Sequence, residues 1–301
     1  MVYIKTPSHN ILIDAGLHQT NDRYQDFLVN NRKFKEFRPK DIDLIFLTHN
    51  HIDHTGLAPK LFRDGCSGGV IVPKNSKKVL QLMIEDCAQI NERDTDIINA
   101  QENKNYRPLY SLEDTSDFLN NVVEFPQNIK HKIDEELSFE LIPSGHLLNS
   151  SQIKLYITHN NVTKTLLFTG DLGNNRVKNH FVGTFSPVPQ ADIVVAESTY
   201  GDRPDIKTGC KERKNDYSKL QSIVNAQVIE MHGRVLIPTF AQSRAQSIAY
   251  ILYELYKDNP DFNDKVYIDS PLAIKVFEAY KDALDSDERH LFQGLLEWPN
   301  L

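Results

Sequence analysis

Four side chains able to bind a metal fall within six residues of Thr48-His49-Asn50-His51-Ile52-Asp53-His54-Thr55-Gly56, and no other feature constrains the chain as much. Upstream, Ile42 to Leu47 is a short apolar run rich in strand formers. Downstream, Gly56 leads into Leu57-Ala58-Pro59-Lys60-Leu61-Phe62. The pattern reads as strand, ligand loop, helix. Residues two apart in extended chain share a face, so the loop projects His49 and His51 to one side. Asp53 and His54 then sit near the start of the following helix and point at a neighbouring position. Imidazole nitrogens with a carboxylate suit zinc, and water can complete the shell.

Two later places offer further ligands. In Pro143-Ser144-Gly145-His146-Leu147-Leu148 a histidine follows a strand-like segment, Leu137 to Ile142, and Gly145 permits close backbone approach. Thr165-Leu166-Leu167-Phe168-Thr169-Gly170-Asp171-Leu172-Gly173 is an apolar strand ending in a carboxylate between glycines. Alone, His146 and Asp171 would be ordinary turn residues. Each repeats the first motif's architecture, a metal-competent side chain at the end of a buried strand.

Taken in order, His49-x-His51-x-Asp53-His54, His146 and Asp171 resemble the metallo-β-lactamase fold family. Leu12-Ile13-Asp14-Ala15-Gly16 is similar to that family's first motif, whose aspartate orients the ligand loop. Carboxylates in such places fix histidine tautomer and ring angle. The resemblance implies an α/β fold, an αββα sandwich of two sheets between helices, with metals at one edge. Ala196-Glu197-Ser198-Thr199-Tyr200-Gly201-Asp202-Arg203 resembles the first motif of the β-CASP branch, whose members cut nucleic acids. Three further stretches have counterparts in β-CASP ribonucleases of prokaryotes and in the pre-mRNA 3′-end cleavage endonuclease: Pro108 to Asp114, Val235 to Gln246 and Val266 to Ala273. The Glu197 to Arg203 and Gly170 to Asn174 forms fit these RNA cleavers better than the DNA-repair branch.

Domain organisation follows from period. Residues 1 to about 190 alternate short strands with helices, and 1–204 are expected to form the metallo-β-lactamase domain. Residues 205–301 are expected to form the N-terminal part of an inserted, incomplete β-CASP α/β domain. Lys77 to about Asn103 reads as one long helix capped by Asn75 or Ser76, with Val79, Leu82, Met83, Cys87 and Ile90 on its packing face. Further on, helix (Tyr217 to Met231), strand (Val235 to Ile237), helix (Ala241 to Tyr256) and strand (Val266 to Ile268) make a βαβ unit with parallel strands. Thr239, Gln242, Ser243 and Arg244 then fall at the carboxyl end of a strand, where ligands collect, and the helix start can meet a phosphate. Ser243 and Arg244 are therefore candidate substrate contacts. Arg244 reads equally well as a partner for a carboxylate.

With 301 residues there is length for about two domains, and 40% apolar residues is ordinary for a globular chain. No apolar run is long enough to span a bilayer, so no membrane role is expected. Cys66, Cys87 and Cys210 are widely spaced and odd in number, which fits a reducing cytoplasm. A formal charge of −7 runs against phosphate binding, although Arg32-Lys33-Phe34-Lys35 with Arg38 and Lys40, and Lys207 through Lys214, are local basic clusters.

By resemblance, His49, His51 and His146 hold one zinc, and Asp171 bridges to a second zinc held by Asp53 and His54. Asp53 is also placed to accept the proton of attacking water, while Glu197 belongs to the apparatus near the scissile phosphate. The chemistry implied is hydrolysis of phosphodiester bonds in single-stranded RNA by metal-activated hydroxide. Against the family, the chain begins inside the second strand and stops inside the β-CASP domain, so the second zinc site is expected to lack a ligand. Besides RNA, a second copy in a homodimer stays open as a partner. The competing readings are a DNA nuclease or other hydrolase of the same fold, and a metal-binding but inactive scaffold.

Overall fold

A computed structural model describes residues 1–173, 180–183, 185–202 and 213–301, with the side chains of 213–216 left aside. It divides into two compact units. The first comprises Met1–Ser144, Asn149–Leu172 and Ser186–Ala196; the second comprises Gly145–Leu148, Gly173–Phe185 and Glu197–Leu301.

Two five-stranded sheets organise the first unit. One has the order β1 (Val2–Lys5), β2 (Asn10–Ile13), β3 (Leu44–Phe46), β4 (Gly69–Pro73), β5 (Val122–Phe125). Strand β1 is antiparallel to β2, and the other pairs are parallel. The other sheet has the order β10 (Ile193–Val195), β9 (Val162–Phe168), β8 (Ser151–His159), β7 (Leu137–Pro143), β6 (Lys130–Lys132). Only β10, beside β9, is parallel there.

Side-chain alternation shows how these sheets are covered. Ile11, Ile13, Phe46 and Ile71 face Leu137, Phe139, Leu141, Ile153, Leu155 and Phe168 in one core between the sheets. Helix α1 (Arg23–Asn30) lies between β2 and β3 in the chain, and the immediate neighbours Leu12, Ile45, Val70 and Val72 point the other way, against helices α2 (Ile52–Thr55), α3 (Ala58–Arg63), α4 (Lys77–Glu102) and α5 (Asp114–Asn120). A strand buried on both faces must be apolar at every position, which is why the β3 region reads as an unbroken run. Phe46 meets Phe139 edge to face at 5.1 Å across the sheet interface. Full burial of each such ring contributes about 2–3 kcal/mol.

Helix α4 runs as the sequence predicts, with Ser76 at its N-cap position but no cap bond from that side chain. Its buried face differs from the expected one. Val79, Leu80, Ile84, Cys87, Ala88, Thr95 and Ile98 are buried, whereas Ile90 is exposed. The helix packs on two clusters, since Leu80 and Ile84 join the sheet core while Cys87, Ala88 and Ile98 join Phe27, Leu109 and Tyr110 of a satellite core. Its buried arc is therefore turned from the single stripe that periodicity suggests. Cys87 accepts the Tyr110 hydroxyl at 3.1 Å, and burial pushes its thiol up to about 11.

The second unit holds α6 (Arg213–Val224) with a π-helical continuation at Asn225–Glu230, then α7 (Arg244–Tyr256), α8 (Pro271–Ala283) and α9 (Ser286–Leu296). Aromatic rings join them, with Phe181 edge-on to Tyr250 at 5.0 Å and to Phe292 at 4.9 Å. The expected strands at Val235–Ile237 and Val266–Ile268 form no ladder among the described residues. Their side chains do alternate: Val235, Ile237, Val266 and Ile268 are half-buried, while Leu236 is 90% and Tyr267 83% exposed. The local pattern is that of a strand, but a strand also requires a hydrogen-bonding neighbour. The predicted βαβ unit is thus corrected to helices joined by extended segments.

Replacing Phe139, fully buried between the sheets, by alanine should cost about 3–5 kcal/mol through lost packing and a residual cavity. Val123→Ala, at a site 51% exposed, should stay within about 0.5 kcal/mol. Urea unfolding followed by far-ultraviolet circular dichroism measures both.

Candidate metal centre

The site is built on the ends of strands. Asp14 directly follows β2 with φ 56°, a left-handed conformation that aspartate tolerates better than most side chains. Its N–H donates to the Phe46 carbonyl at 2.9 Å, which turns the carboxylate towards the loop leaving β3. That carboxylate is buried. It accepts the Thr48 N–H at 2.8 Å and the Thr48 hydroxyl at 2.9 Å, and lies 2.7 Å from His54 Nδ1.

This network sets the histidine tautomers. The carboxylate can only accept, so the Thr48 hydroxyl gives Asp14 its single proton and must accept from His49 Nδ1 at 3.0 Å. His49 therefore presents Nε2 as its ligating nitrogen. His54 likewise directs Nδ1 at Asp14 and Nε2 at Asp171 Oδ1, 3.2 Å away. Burial works against a charge on His54. The hydrogen bonds and charges of Asp14 and Asp171 outweigh it and push the imidazole up to about 10.

Helix α2 is docked by main chain as tightly as by side chains. The Ala15 and Leu17 N–H groups donate to the carbonyls of His54 and Ile52, at 2.7 and 3.1 Å. A β-carbon at Gly16 would stand 1.4 Å from the Asp53 carbonyl oxygen, so this position admits only glycine. His51 is the N-cap residue of α2, and its ring meets that of His49 at 4.9 Å.

His146 stands on the short loop that leaves β7 and returns into β8, both strands of the first unit. Gly145, at φ 66°, turns that loop. Asp171 follows β9 after Gly170, whose φ is 52° and whose missing β-carbon leaves room for Thr48. The ligating atoms of His49, His51, His146 and Asp171 all lie within 4.8 Å of one another. Three imidazoles and a carboxylate so arranged fit a divalent cation of borderline softness. His54 joins this group through Asp171. The Asp53 side chain is more exposed, at 57%, and stands 3.7 Å from His54 Nε2.

Among the remaining predicted residues, Glu197 lies in the second unit and accepts the Thr199 N–H at 3.3 Å. Ser243 is buried with φ 71°. The Arg244 N–H closes back on the Gln242 carbonyl at 2.9 Å, a strained γ-turn. The Ala245 N–H donates to the Phe240 carbonyl. Two donors of the α7 start are thus already engaged, and the Arg244 side chain is exposed. Asn174, Arg203, Cys210 and most of Lys207 through Lys214 lie outside the described residues. Sequence reasoning missed the role of Thr48. The signal available was a hydroxyl directly before the first ligand.

A pH dependence follows for metal-free protein. His54 is raised from its ordinary 6.5 to about 10, so its stabilisation is fully present below 6.5 and lost as pH rises through 10. The metal-free unfolding midpoint should fall between about pH 7 and pH 10. Asp14→Asn should flatten that slope, as read by thermal denaturation in chelator.

A sequence profile described as the metallo-beta-lactamase superfamily matches residues 1–181. Ribonuclease TTHA0252 of Thermus thermophilus is 30% identical over 290 residues, covering 94% of this chain and 59% of that protein. Transcription termination factor FttA of Methanocaldococcus jannaschii is 27% identical, covering 96% of this chain and 42% of that protein. Integrator complex subunit 11 of Danio rerio is 25% identical, covering 93% and 44%. The chain thus spans about three-fifths or less of the length of these relatives. A solved subclass B3 metallo-beta-lactamase of Bradyrhizobium japonicum overlies 74% of this chain and 88% of its own, at TM-score 0.37 and 14% identity, too loosely to add to the assignment. The chain belongs to the metallo-beta-lactamase superfamily.

Proposed function

We propose that this chain carries the hydrolytic core of a zinc-dependent ribonuclease acting on single-stranded RNA. The observation that carries the reading is the gathering of His49, His51, His146 and Asp171, beside a His49 whose tautomer Thr48 and Asp14 fix. The 30% identity to a protein named as a ribonuclease supports it. His49, His51, His146 and Asp171 would hold one zinc, and Asp171, Asp53 and His54 would face a second. Zinc bound there would lower the pKa of water towards about 7 and would neutralise charge on phosphoryl oxygens. Asp14 and Thr48 hold the imidazoles in register. Asp53, the most exposed carboxylate of the group, would take the proton of attacking water. Glu197 is assigned a second catalytic role by its motif, and the exposed Arg244 is assigned a phosphate contact. Buried, unbridged Cys66 and Cys87 support a cytoplasmic setting.

Purified protein should contain zinc by elemental analysis, and His49→Ala with His51→Ala should remove it. Unstructured RNA should be cut in preference to duplex RNA and to DNA of the same sequence, because the 2′-hydroxyl offers a discriminating contact. Chelator or Asp171→Ala should lower that rate by about 10² to 10⁴. Equal cleavage of single-stranded DNA would mean a DNA nuclease. Turnover of a small thioester alone would mean a different hydrolase, and firm metal binding without hydrolysis would mean a scaffold.

A further inference from the structure

Within the first unit, away from the ligand loops in sequence, residues 32–40 read Arg-Lys-Phe-Lys-Glu-Phe-Arg-Pro-Lys. Arg32, Lys33, Lys35, Arg38 and Lys40 are all exposed, five cations against the single carboxylate of Glu36 in a chain of formal charge −7. The two phenylalanines between them are half-buried and form one wall of a cavity of about 600 Å³. Tyr3 and Lys5 on β1, the edge strand, also line it with Lys35 and Arg38, as do the carboxylates of Glu36 and Asp41, so that three cations face two anions there.

The aromatic wall is ordered. Phe34 and Phe37 stack with centroids 4.9 Å apart and planes 18° from parallel, and Tyr3 follows at 5.2 Å from Phe37. The Tyr3 hydroxyl is tied to Asn10 at 2.7 Å. From behind, Lys60 on α3, itself only 2% exposed, holds its ammonium 4.8 Å over the Phe34 ring while bound to Asp64 at 2.8 Å. Arg38 is clamped along the rim by both Asp41 oxygens, at 2.5 and 2.9 Å. Rings fixed before a ligand arrives lose little entropy on binding.

Rings beside exposed cations are the arrangement that grips a single strand of nucleic acid, since every base has a face to stack and every phosphate a charge to meet. We propose that this groove is an accessory docking site for single-stranded RNA. Bases stack against Phe37 and Tyr3, with Phe34 holding Phe37 in place from behind, and phosphates pass Lys33, Lys35 and Lys5. The occupant rests on the ribonuclease reading for its identity, but the groove does not use the metal centre.

Anisotropy of a fluorescein-labelled twelve-nucleotide uridine RNA tests the site, in chelator so that no cleavage intervenes. Lys33→Glu with Lys35→Glu should weaken binding by at least about tenfold at low salt and lower the salt slope by between about one and two. Phe37→Leu keeps apolar bulk but removes the stacking face. It should weaken binding by about fivefold to a hundredfold with the salt slope unchanged. Both variants should keep the wild-type zinc affinity, and the lysine variant its thermal midpoint. If Phe37→Leu does not fold, the two lysine changes, which lie on the surface, decide alone. Unaltered RNA affinity in the lysine variant overturns the proposal, as does equal affinity for duplex RNA. Binding that follows these variants in a protein that cuts no RNA would leave the groove standing and remove the ribonuclease reading. Normal cleavage with unchanged binding in the variants would remove the groove alone.

Discussion

A buried carboxylate, that of Asp14, is the interaction on which the site depends. It sits where β2 ends, in a backbone conformation few side chains tolerate, and takes hydrogen bonds from the Thr48 amide and hydroxyl. The amide goes to Oδ1, while Oδ2 takes the hydroxyl and also engages His54 Nδ1. The end of β2, the loop after β3 and helix α2 are thereby fixed to one anion. Hydrogen bonds to an ionised acceptor are about twice as strong as neutral ones, and they convert strand geometry into ring orientation. The sandwich supplies the rest of the rigidity, because the strands behind the ligand loops are packed on both faces.

The parts of this that the sequence displays are those set by short-range rules. An apolar run from Ile42 to Leu47 ending in closely spaced histidines can be read without a structure, since strand burial and ligand chemistry both show in residue type. Asp14, His146 and Asp171 are legible for the same reason, each at the end of an apolar segment. Thr48 is not, because whether a hydroxyl relays a proton depends on which carboxylate lies across the fold. The face of α4 is missed in part because the helix serves two cores at once. The segments at Val235–Ile237 and Val266–Ile268 carry strand alternation in their burial, yet pairing is a property of two segments and cannot be read from either alone. Ser243 shows the same limit. Nothing in Gln242-Ser243-Arg244 announces a γ-turn, and it delays the start of α7 from the expected Ala241 to Arg244.

Charge is the remaining tension in the proposed reading, since a chain of formal charge −7 would have to meet a polyanion. Net charge governs long-range approach, and at physiological salt it is screened beyond about 8 Å. Contact is decided by the groups within that distance. At the metal centre the acidic residues Asp14, Asp53 and Asp171 contribute to the negative total but face imidazoles, and a bound divalent cation reverses their local sign. At the Phe34–Phe37 wall the local balance is positive outright. The two places also differ in build. Metal ligands need buried, carboxylate-fixed side chains because bond lengths are strict, whereas a docking strand is met by exposed lysines that can follow it on a ring wall that cannot move. At Arg32 to Lys40 stacked rings and exposed cations coincide, which is what the proposed docking of a single strand on a negative chain requires.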